Sequence, residues 1–339
     1  MADTRIPVTL LTGFLGSGKT TLLNQLLSHP QMKNSAVIIN EIGSTGLDHI
    51  LATHVDSEHI AENTVLLSNG CVCCTLKNEL ADTMRDLFFK RALLAISQFD
   101  RLIIETTGLA DPGPILGNLM NEPVIESVFR LDAVVVTIDA IYGLEQLNTQ
   151  TESKSQVAVG DVLLITKTDL ATQTQVNQLQ QTLQAINATA NQHSVINGQI
   201  EPALLIDVGL FDPAGKRAQP ERWLRAPINI KSKSMLTKFA PAHDGIDSFT
   251  ITLPNPINWR DLKPIILKLC QTHGKNLLRL KGIIHAADLN HPIAIHAVHF
   301  TPYPPTLLEG WTEDYPTNRI VIIGKNLVEQ EIVRMLTQF

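Results

Sequence analysis

Short apolar runs alternate with segments of helical periodicity along the first 210 residues of the chain. Strands are predicted at 8–12, 35–40, 64–68, 101–105, 132–138, 162–165 and 195–196, and helices at 19–27, 76–95 and 174–186. The strand at 132–138 is the most apolar of these and is expected in the middle of a sheet. Apolar runs without polar alternation are typical of parallel strands covered on both faces. Residues 1–210 are therefore predicted to form an α/β domain with a doubly wound, mostly parallel sheet.

The pattern changes beyond residue 210. Between 211 and 245 the periodicity fades and Pro, Lys and Arg accumulate, which is typical of a connector. Residues 246–339 are predicted to form a smaller C-terminal α+β domain. Its strands are expected at 248–253, 277–285, 293–299 and 319–323, and its helices at 259–272 and 328–336.

Composition narrows the class of protein. The chain has 339 residues, 44% of them hydrophobic, so it can bury cores of ordinary size in two domains. A net charge of −6 and the lack of a Lys/Arg stripe argue against a nucleic-acid partner. No apolar run approaches the length of a membrane span, and the first residues lack a signal-type segment. We therefore expect a soluble cytoplasmic protein with no membrane partner.

Residues 13–20 read Gly-Phe-Leu-Gly-Ser-Gly-Lys-Thr and lie between a predicted strand and a predicted helix. This is the G-x-x-x-x-G-K-[ST] pattern in the context that a phosphate-binding loop requires, although a plain glycine-rich turn is the alternative. Glycines let successive backbone N–H groups turn inward as an anion nest at the start of the helix. The predicted phosphate-binding residues are Gly13, Gly16, Ser17, Gly18, Lys19, Thr20 and Thr21.

Three side chains near this loop are expected to serve hydrolysis. Lys19 would place its ammonium between the β- and γ-phosphates, and Thr20 would offer its hydroxyl to a bridging Mg²⁺. Glu105 ends an apolar strand three residues before Gly108, where nucleotide hydrolases keep a carboxylate that senses Mg²⁺ or its water. Gly108 would approach the γ-phosphate. Taken alone, Glu105 also fits a surface carboxylate after a strand.

Residues 166–169, Thr-Lys-Thr-Asp, resemble the Asn-Lys-x-Asp element of GTPases. The Asp169 carboxylate can accept the N1–H and the exocyclic amino hydrogens of guanine, a donor pair that adenine lacks. The stem of Lys167 would pack along the base, while Thr166 stands where Asn is usual. A strand-end turn is the alternative, but Asp169 favours GTP over ATP.

The chain has four cysteines, and three of them lie together at Cys71, Cys73 and Cys74. Clustered thiols in a reducing compartment indicate metal or redox chemistry. In an extended segment Cys71 and Cys73 share one face, and three ligands would make an open, exchangeable zinc site. A redox dithiol of Cys71 and Cys74 and small buried cysteines at a turn are the alternatives. Cys270 stands alone in a helical pattern.

Together these motifs resemble the CobW-like GTPases of the CobW/HypB/UreG group. The segments that carry the resemblance are 9–23, 40–41, 69–74, 104–112, 164–169 and 277–282, so the likeness covers nearly the whole chain. The resemblance implies a GTPase that acts as a metallochaperone. In such a protein, GTP binding and hydrolysis govern the loading of zinc or a related ion and its release to a client metalloprotein.

The resemblance also brings loop residues into the expected site. Glu41 is expected to join Lys19 and Glu105 in hydrolysis. Ordering of the loops at 40–41 and 71–75 by Mg²⁺ and the γ-phosphate would shape the thiolate site, and hydrolysis would release it. Cys74 and Thr75 would then contact the terminal phosphate as well as the metal site.

Some questions stay open at the level of sequence. The chain lacks the His-rich stretch that many relatives carry near the connector, and its C-terminal histidines are dispersed at His285, His291, His296 and His299. Whether one of these completes the zinc site is undecided, as are the client, the physiological metal and a homo-oligomeric state. A regulatory binding module, whose cysteines sense metal or redox state, is the alternative function.

The substitution Asp169→Asn tests the predicted base preference. The variant should bind GTP more weakly, because the carboxylate that accepts the guanine hydrogens is lost, while the phosphate loop stays intact. Fluorescence titrations with GTP and ATP on both proteins measure this. Equal affinity of the unaltered chain for the two nucleotides would contradict the prediction.

Overall fold

The computed structural model describes residues 4–40, 65–69, 76–206, 208, 236–238, 245–308 and 318–337. The chain divides into two compact units, Met1–Gln180 with Asn191–Gly209 and Gln181–Ala190 with Leu210–Phe339. Within the ranges just given, no helix combines the length and apolar character needed to cross a membrane.

The first unit contains a seven-stranded parallel sheet. Its strands are β1 (Ile6–Gly13), β2 (Ser35–Asn40), β3 (Val65–Asn69), β4 (Arg101–Glu105), β5 (Phe129–Asp139), β6 (Val162–Thr166) and β7 (Asn191–Val195). The helices are α1 (Lys19–Ser28), α2 (Leu76–Ala92), α3 (Pro112–Asn121), α4 (Pro123–Val128), α5 (Gly143–Thr149), α6 (Thr151–Val159) and α7 (Gln173–Ile186). The strand order is β3-β2-β4-β1-β5-β6-β7, with every neighbouring pair parallel.

The predicted doubly wound sheet is confirmed. β1 is the central strand, and its neighbouring residues Leu10 and Leu11 are both buried, because the two faces of the sheet are covered. The apolar strand predicted at 132–138 belongs to β5, which lies beside β1 rather than at the centre. The expectation of a central position was therefore off by one strand.

Four helices between residues 112 and 159 were not predicted from the pattern. α3 begins where the Asp111 carboxylate accepts a hydrogen bond from the N–H of Gly113 and Pro112 occupies the first turn. α6 buries polar side chains, among them Ser153 and Gln156, so it has no apolar stripe for a sequence reading to detect.

The second unit contains a mainly antiparallel sheet packed against two helices. Its strands are β8 (Leu236–Lys238), β9 (Ile246–Leu253), β10 (Leu277–Ile284), β11 (Ile293–Val298), β12 (Thr301–Pro302), β13 (Thr306–Leu307) and β14 (Asn318–Lys325), and its helices are α8 (Trp259–His273) and α9 (Glu329–Thr337). The order is β12-β11-β10-β14-β9-β8, and β13 also pairs with β11. Leu269 and Leu336 from the helices share one core with Phe249, Leu280 and Ile322 of the strands. β8 lies within the stretch that the sequence predicts as a connector.

A buried ion-pair cluster lies near the amino ends of β4 and β5. The pairing of β1 with β5 shifts register between Val8 and Thr9, and Asp132 is the extra residue of this bulge. The Asp132 carboxylate, with no side-chain exposure, accepts a hydrogen bond of 2.7 Å from Arg101 and lies 3.7 Å from the guanidinium of Arg130. The cluster therefore joins two interior strands by charge at the edge where these strands begin.

Replacing Asp132 by Ala should destabilise the first unit strongly. Removal of one member of a buried ion pair leaves an uncompensated charge and costs about 3–5 kcal/mol of unfolding free energy. The matched control is Asp86→Ala, which breaks the exposed pair with Lys90 on α2 and should change stability by less than about 1 kcal/mol. Urea titrations followed by circular dichroism measure both. Equal losses in the two variants would contradict the role assigned to the buried cluster.

Candidate nucleotide-binding site

The loop after β1 has the geometry of a phosphate cradle. Gly13, Gly16 and Gly18 all have positive φ angles, of 140°, 73° and 90°. A Cβ on Gly13 would lie 2.4 Å from the carbonyl oxygen of Thr137, so only glycine fits where the loop leaves the sheet. Gly18 immediately precedes α1, so the loop ends at the positive end of a helix. The predicted phosphate-binding loop is thus built as an anion nest, and an anionic phosphate fits it.

The Lys19 side chain folds back across this loop. Its ammonium donates to the carbonyl of Gly13 at 2.9 Å and to that of Phe14 at 3.3 Å. The residue is only 9% exposed, so the charge is kept close to the nest instead of in bulk water. A positive charge held there can neutralise phosphate oxygens when they enter the loop.

Thr20 and Glu105 come together from different elements. Thr20 lies in the first turn of α1 and Glu105 ends β4, and the threonine hydroxyl donates to the buried carboxylate at 3.0 Å. A hydroxyl and a carboxylate are hard oxygen ligands of the kind that Mg²⁺ takes beside nucleotide phosphates. The residues present therefore fit a magnesium ion.

The loop after β6 is tied to the phosphate loop. The Thr166 hydroxyl lies 2.8 Å from the carbonyl of Ser17 and 3.2 Å from that of Ile138, and can donate to either. Thr166 therefore connects these loops although it stands in place of the usual Asn. Its burial keeps water from competing for the bond.

Lys167 makes a second connection between the same loops. It has a φ of 56°, and its ammonium donates to the Gly16 carbonyl at 2.8 Å and to the Asp139 carboxylate at 2.6 Å. The other Asp139 oxygen accepts the backbone N–H groups of Ile141 and Tyr142. Asp139 therefore fixes the position of the lysine side chain between the two loops.

Asp169, the residue predicted to read guanine, is exposed at the end of this loop. The Leu170 N–H donates to the Lys167 carbonyl at 3.0 Å, which closes a turn around Asp169. The carboxylate is thus reachable by a ligand, two residues beyond the lysine that Asp139 holds.

The loop between β4 and α3 closes against the phosphate loop. The Thr106 N–H donates to the Leu11 carbonyl at 2.9 Å, and its hydroxyl donates to that of Thr12 at 2.8 Å. Gly108 is so close that a Cβ would lie 2.6 Å from the backbone nitrogen of Leu15. The structure therefore brings Gly108 beside the nest, as its predicted role requires.

Three residues around these loops were not singled out from the sequence. The Thr137 and Ser17 hydroxyls share a buried hydrogen bond of 2.7 Å, and the Gln156 amide donates to two carbonyls of the β4–α3 loop. Of the three, only Asp139 could have been identified from the sequence, since it is a polar residue at the carboxyl end of an interior strand. Thr137 and Gln156 gave none, because their partners lie far away in sequence.

Five predicted site residues fall where the structure gives no description. Glu41 follows β2, and Cys71, Cys73, Cys74 and Thr75 lie between β3 and α2. Their roles in hydrolysis and zinc binding stay predictions. β2 and β3 are parallel neighbours, so both segments leave the sheet at the edge from which the phosphate loop also leaves.

Cys270 and the C-terminal histidines lie outside the three-cysteine motif and differ from it in their surroundings. Burial raises the pKa of the Cys270 thiol to about 12, so this cysteine is not a thiolate at neutral pH. Burial lowers the pKa of His285, and His296 stacks on Tyr303 with ring centroids 4.1 Å apart. The described parts of the chain contain no group of three His, Cys, Asp or Glu side chains that could hold a metal ion.

The parallel sheet and the nest define a P-loop nucleotide-binding protein. Residues 7–194 match the CobW/HypB/UreG nucleotide-binding domain, and residues 246–339 match the cobalamin synthesis protein cobW C-terminal domain. The chain belongs to the CobW/HypB/UreG family, as the resemblance of its motifs implied.

Individual relatives cover both units. Zinc chaperone YjiA of Escherichia coli (strain K12) is 34% identical over 331 residues, 96% of each chain. Zinc-regulated GTPase metalloprotein activator 1 of Schizosaccharomyces pombe is 34% identical over 202 residues, which are 58% of this chain and 47% of that protein. The crystal structure of Zn(II)-bound YjiA GTPase from E. coli matches with a TM-score of 0.71 and 29% identity over 98% of both chains.

Replacing Thr166 by Val tests the connection between the two loops. The change keeps the shape but removes the hydroxyl, and a buried acceptor left unpaired costs about 1–3 kcal/mol. Because about 1.4 kcal/mol is tenfold in affinity, GDP binding should weaken roughly tenfold. Isothermal titration calorimetry measures this, with Thr189→Val as the control, since it loses a buried hydroxyl bond to Asn187 instead. Unchanged GDP affinity in folded Thr166→Val would contradict the connection.

Proposed function

We propose that this chain is a GTP-hydrolysing zinc chaperone that loads metal at its Cys-x-Cys-Cys segment and transfers it to client metalloproteins. The observation that carries the proposal is the joining of the phosphate loop to the loop after β6 through Thr166 and Lys167. This arrangement suits a guanine nucleotide, and relatives that match over most or half of this chain are named zinc chaperone and zinc-regulated GTPase.

Nucleotide binding is assigned to the residues around the cradle. The nest at residues 13–18 and the backbone and side chains of Lys19, Thr20 and Thr21 would hold the phosphates. Lys167 would lie along guanine, and Asp169 would accept its N1–H and amino hydrogens. Gly108, Cys74 and Thr75 are proposed to approach the terminal phosphate from the other loops.

Hydrolysis requires a water oxygen to bond to the γ-phosphorus while the bond to the β–γ bridging oxygen breaks, and the electron pair leaves with GDP. Lys19 is placed to neutralise charge on the phosphate oxygens. Mg²⁺, held by Thr20 with Glu105 beside it, would supply further charge neutralisation when bound. Glu105 and Glu41 are proposed to orient the attacking water.

Zinc is the cargo of this protein and is proposed to bind at Cys71, Cys73 and Cys74. Three thiolates leave one position of a tetrahedral zinc site open, so the metal can pass to another protein. The segment joins the carboxyl end of β3 to α2. The nucleotide is proposed to bind at this same end of the parallel strands. A change of nucleotide state can therefore alter the metal site through a short length of chain.

The organisation and cellular setting form part of the same proposal. We assign residues 1–210 to the GTPase domain, 211–245 to the connector and 246–339 to the C-terminal domain. The cytoplasm is the proposed location, because thiols stay reduced there. The name metalloprotein activator of the S. pombe relative supports a metalloprotein as partner.

The proposal is tested by measuring zinc affinity with a competing chelator in the presence of GDP and of a non-hydrolysable GTP analogue. The analogue should strengthen zinc binding, and a coupling of about 1–3 kcal/mol corresponds to roughly 5- to 150-fold. Cys71→Ser should weaken zinc binding and remove the difference. Cys270→Ala is the matched control, because its thiol is buried and protonated.

A second measurement separates a chaperone from a regulatory module. Zinc should pass stoichiometrically to an apo-metalloenzyme only when hydrolysable GTP is present. Indistinguishable zinc affinities in the two nucleotide states would rule out nucleotide-gated loading, and nucleotide-dependent protein binding without transfer would favour the module.

A further inference from the structure

Gln156 lies on α6, outside every motif that defines the nucleotide site. Its side chain is only 1% exposed, and its amide nitrogen donates to the Gly108 carbonyl at 3.2 Å and to the Ala110 carbonyl at 3.1 Å. Both carbonyls belong to the β4–α3 loop. One side chain therefore uses both amide hydrogens to hold two backbone groups, spaced two residues apart, of the loop that closes on the phosphate nest.

The position of Gln156 is itself set by rigid neighbours. α6 packs against β1, β5 and α3, so the helix is fixed on the sheet that carries the phosphate loop. Burying the Gln156 amide costs little free energy, because both of its N–H groups are hydrogen-bonded. Without Gln156, the Gly108 and Ala110 carbonyls would each lose this donor. Gln156 thus holds the β4–α3 loop at a fixed position relative to the sheet.

These hydrogen bonds fix the orientation of peptide planes. The Gly108 carbonyl shares a planar peptide with the Leu109 N–H, which in turn donates to the Thr107 hydroxyl at 3.3 Å. Both ends of this plane are therefore held. The Ala110 carbonyl lies two peptides further on and shares its plane with the N–H of Asp111, the residue that caps α3.

The β4–α3 loop is in close contact with the phosphate loop. A Cβ on Gly108 would lie within 2.6 to 2.8 Å of three atoms of Leu15, so Gly108 already touches the phosphate loop. Rotation of the Gly108 peptide would move it into Leu15 or away from the nest. The bonds from Gln156 hold the Gly108 peptide in its observed orientation and so oppose both movements.

We propose that Gln156 is a positioning residue for GTP hydrolysis, which sets the Gly108 peptide against the phosphate loop in the arrangement that the reaction requires. The inference rests on the proposed GTPase function. Gln156 acts through the loop and touches no reacting atom, so its loss should lower the rate of hydrolysis more than the affinity for nucleotide. Misplacement of groups by small distances is enough to slow a reaction of this kind greatly.

The test compares Gln156→Met and Gln156→Glu with the unaltered chain. Methionine keeps the length and removes both donors, so kcat for GTP hydrolysis should fall by about tenfold or more. The Kd for GDP and the KM for GTP should stay within about twofold, because the nest itself is unchanged. Gln184→Met is the control for loss of a glutamine amide bond alone, since it removes a bond from an exposed helical position to the Ala188 carbonyl elsewhere.

The glutamate variant provides a readout that loss of packing alone would not move. An ionised carboxylate facing two carbonyl oxygens is repelled, whereas a protonated carboxyl can donate one hydrogen bond. Burial raises the pKa of such a carboxyl, so lowering the pH to about 5.5 should restore part of the activity, expressed relative to the unaltered chain at each pH. Gln156→Met should show no such recovery.

The outcomes distinguish failure of the proposed GTPase function from failure of the proposed positioning role. If the unaltered chain does not hydrolyse GTP, the proposed function fails. If it does, and folded Gln156→Met retains kcat, or loses GDP affinity as much as kcat, the positioning role is overturned. Should Gln156→Met fail to fold, the pH dependence of Gln156→Glu decides, and a ratio to the unaltered chain that does not change with pH overturns the proposal.

Discussion

The structure of the site depends on holding the phosphate loop in one shape. An anion nest works only when its N–H groups already point inward, and a loop with three glycines has much conformational freedom to lose. The constraint is supplied by hydrogen bonds from neighbouring strand ends. Ser17 is held by Thr137 and Thr166, and Gly16 is held by Lys167. The two bonds to Ser17 are buried, so water does not compete for them, whereas the bond from Lys167 to Gly16 is exposed.

Parallel pairing explains why so many partners are available. The carboxyl ends of parallel strands meet at one edge of the sheet, so the loops after β1, β4, β5 and β6 converge there whatever their separation in sequence. Because β1 is central, the phosphate loop receives contacts from both sides. Thr106, after β4, bonds to Thr12 at the end of β1, and Thr137 of β5 bonds to Ser17 in the loop. Asp139 of β5 acts indirectly, because it holds the Lys167 ammonium that bonds to Gly16. The buried Asp132 cluster lies at the opposite edge of the sheet, where the strands begin, and contributes to stability. The polar loops lie at the other edge.

The β4–α3 loop lies against the phosphate loop and is held there by hydrogen bonds. It is held by Thr106 at one end, by Asp111 at the other and by Gln156 in between. All of these contacts are hydrogen bonds. Segments stabilised in this way can switch between arrangements at low cost compared with a packed core. The segment proposed to bind zinc follows β3, whose carboxyl end lies at the same edge of the sheet.

The sequence alone determined the alternation of strands and helices, the phosphate loop and the identity of the family. Each of these is written in contiguous residues, because backbone dihedrals at glycine and apolar periodicity are local properties. It did not determine the four helices between 112 and 159, one of which, α6, buries polar residues that hide the helical period. Nor did it determine the place of β5 beside a central β1. Only the tertiary structure decided that Thr166 serves where Asn is usual, that Asp139 holds Lys167, and that Gln156 holds the loop of Gly108. Those contacts join residues 28 to 149 positions apart, and their energies depend on burial that exists only after the sheet has formed.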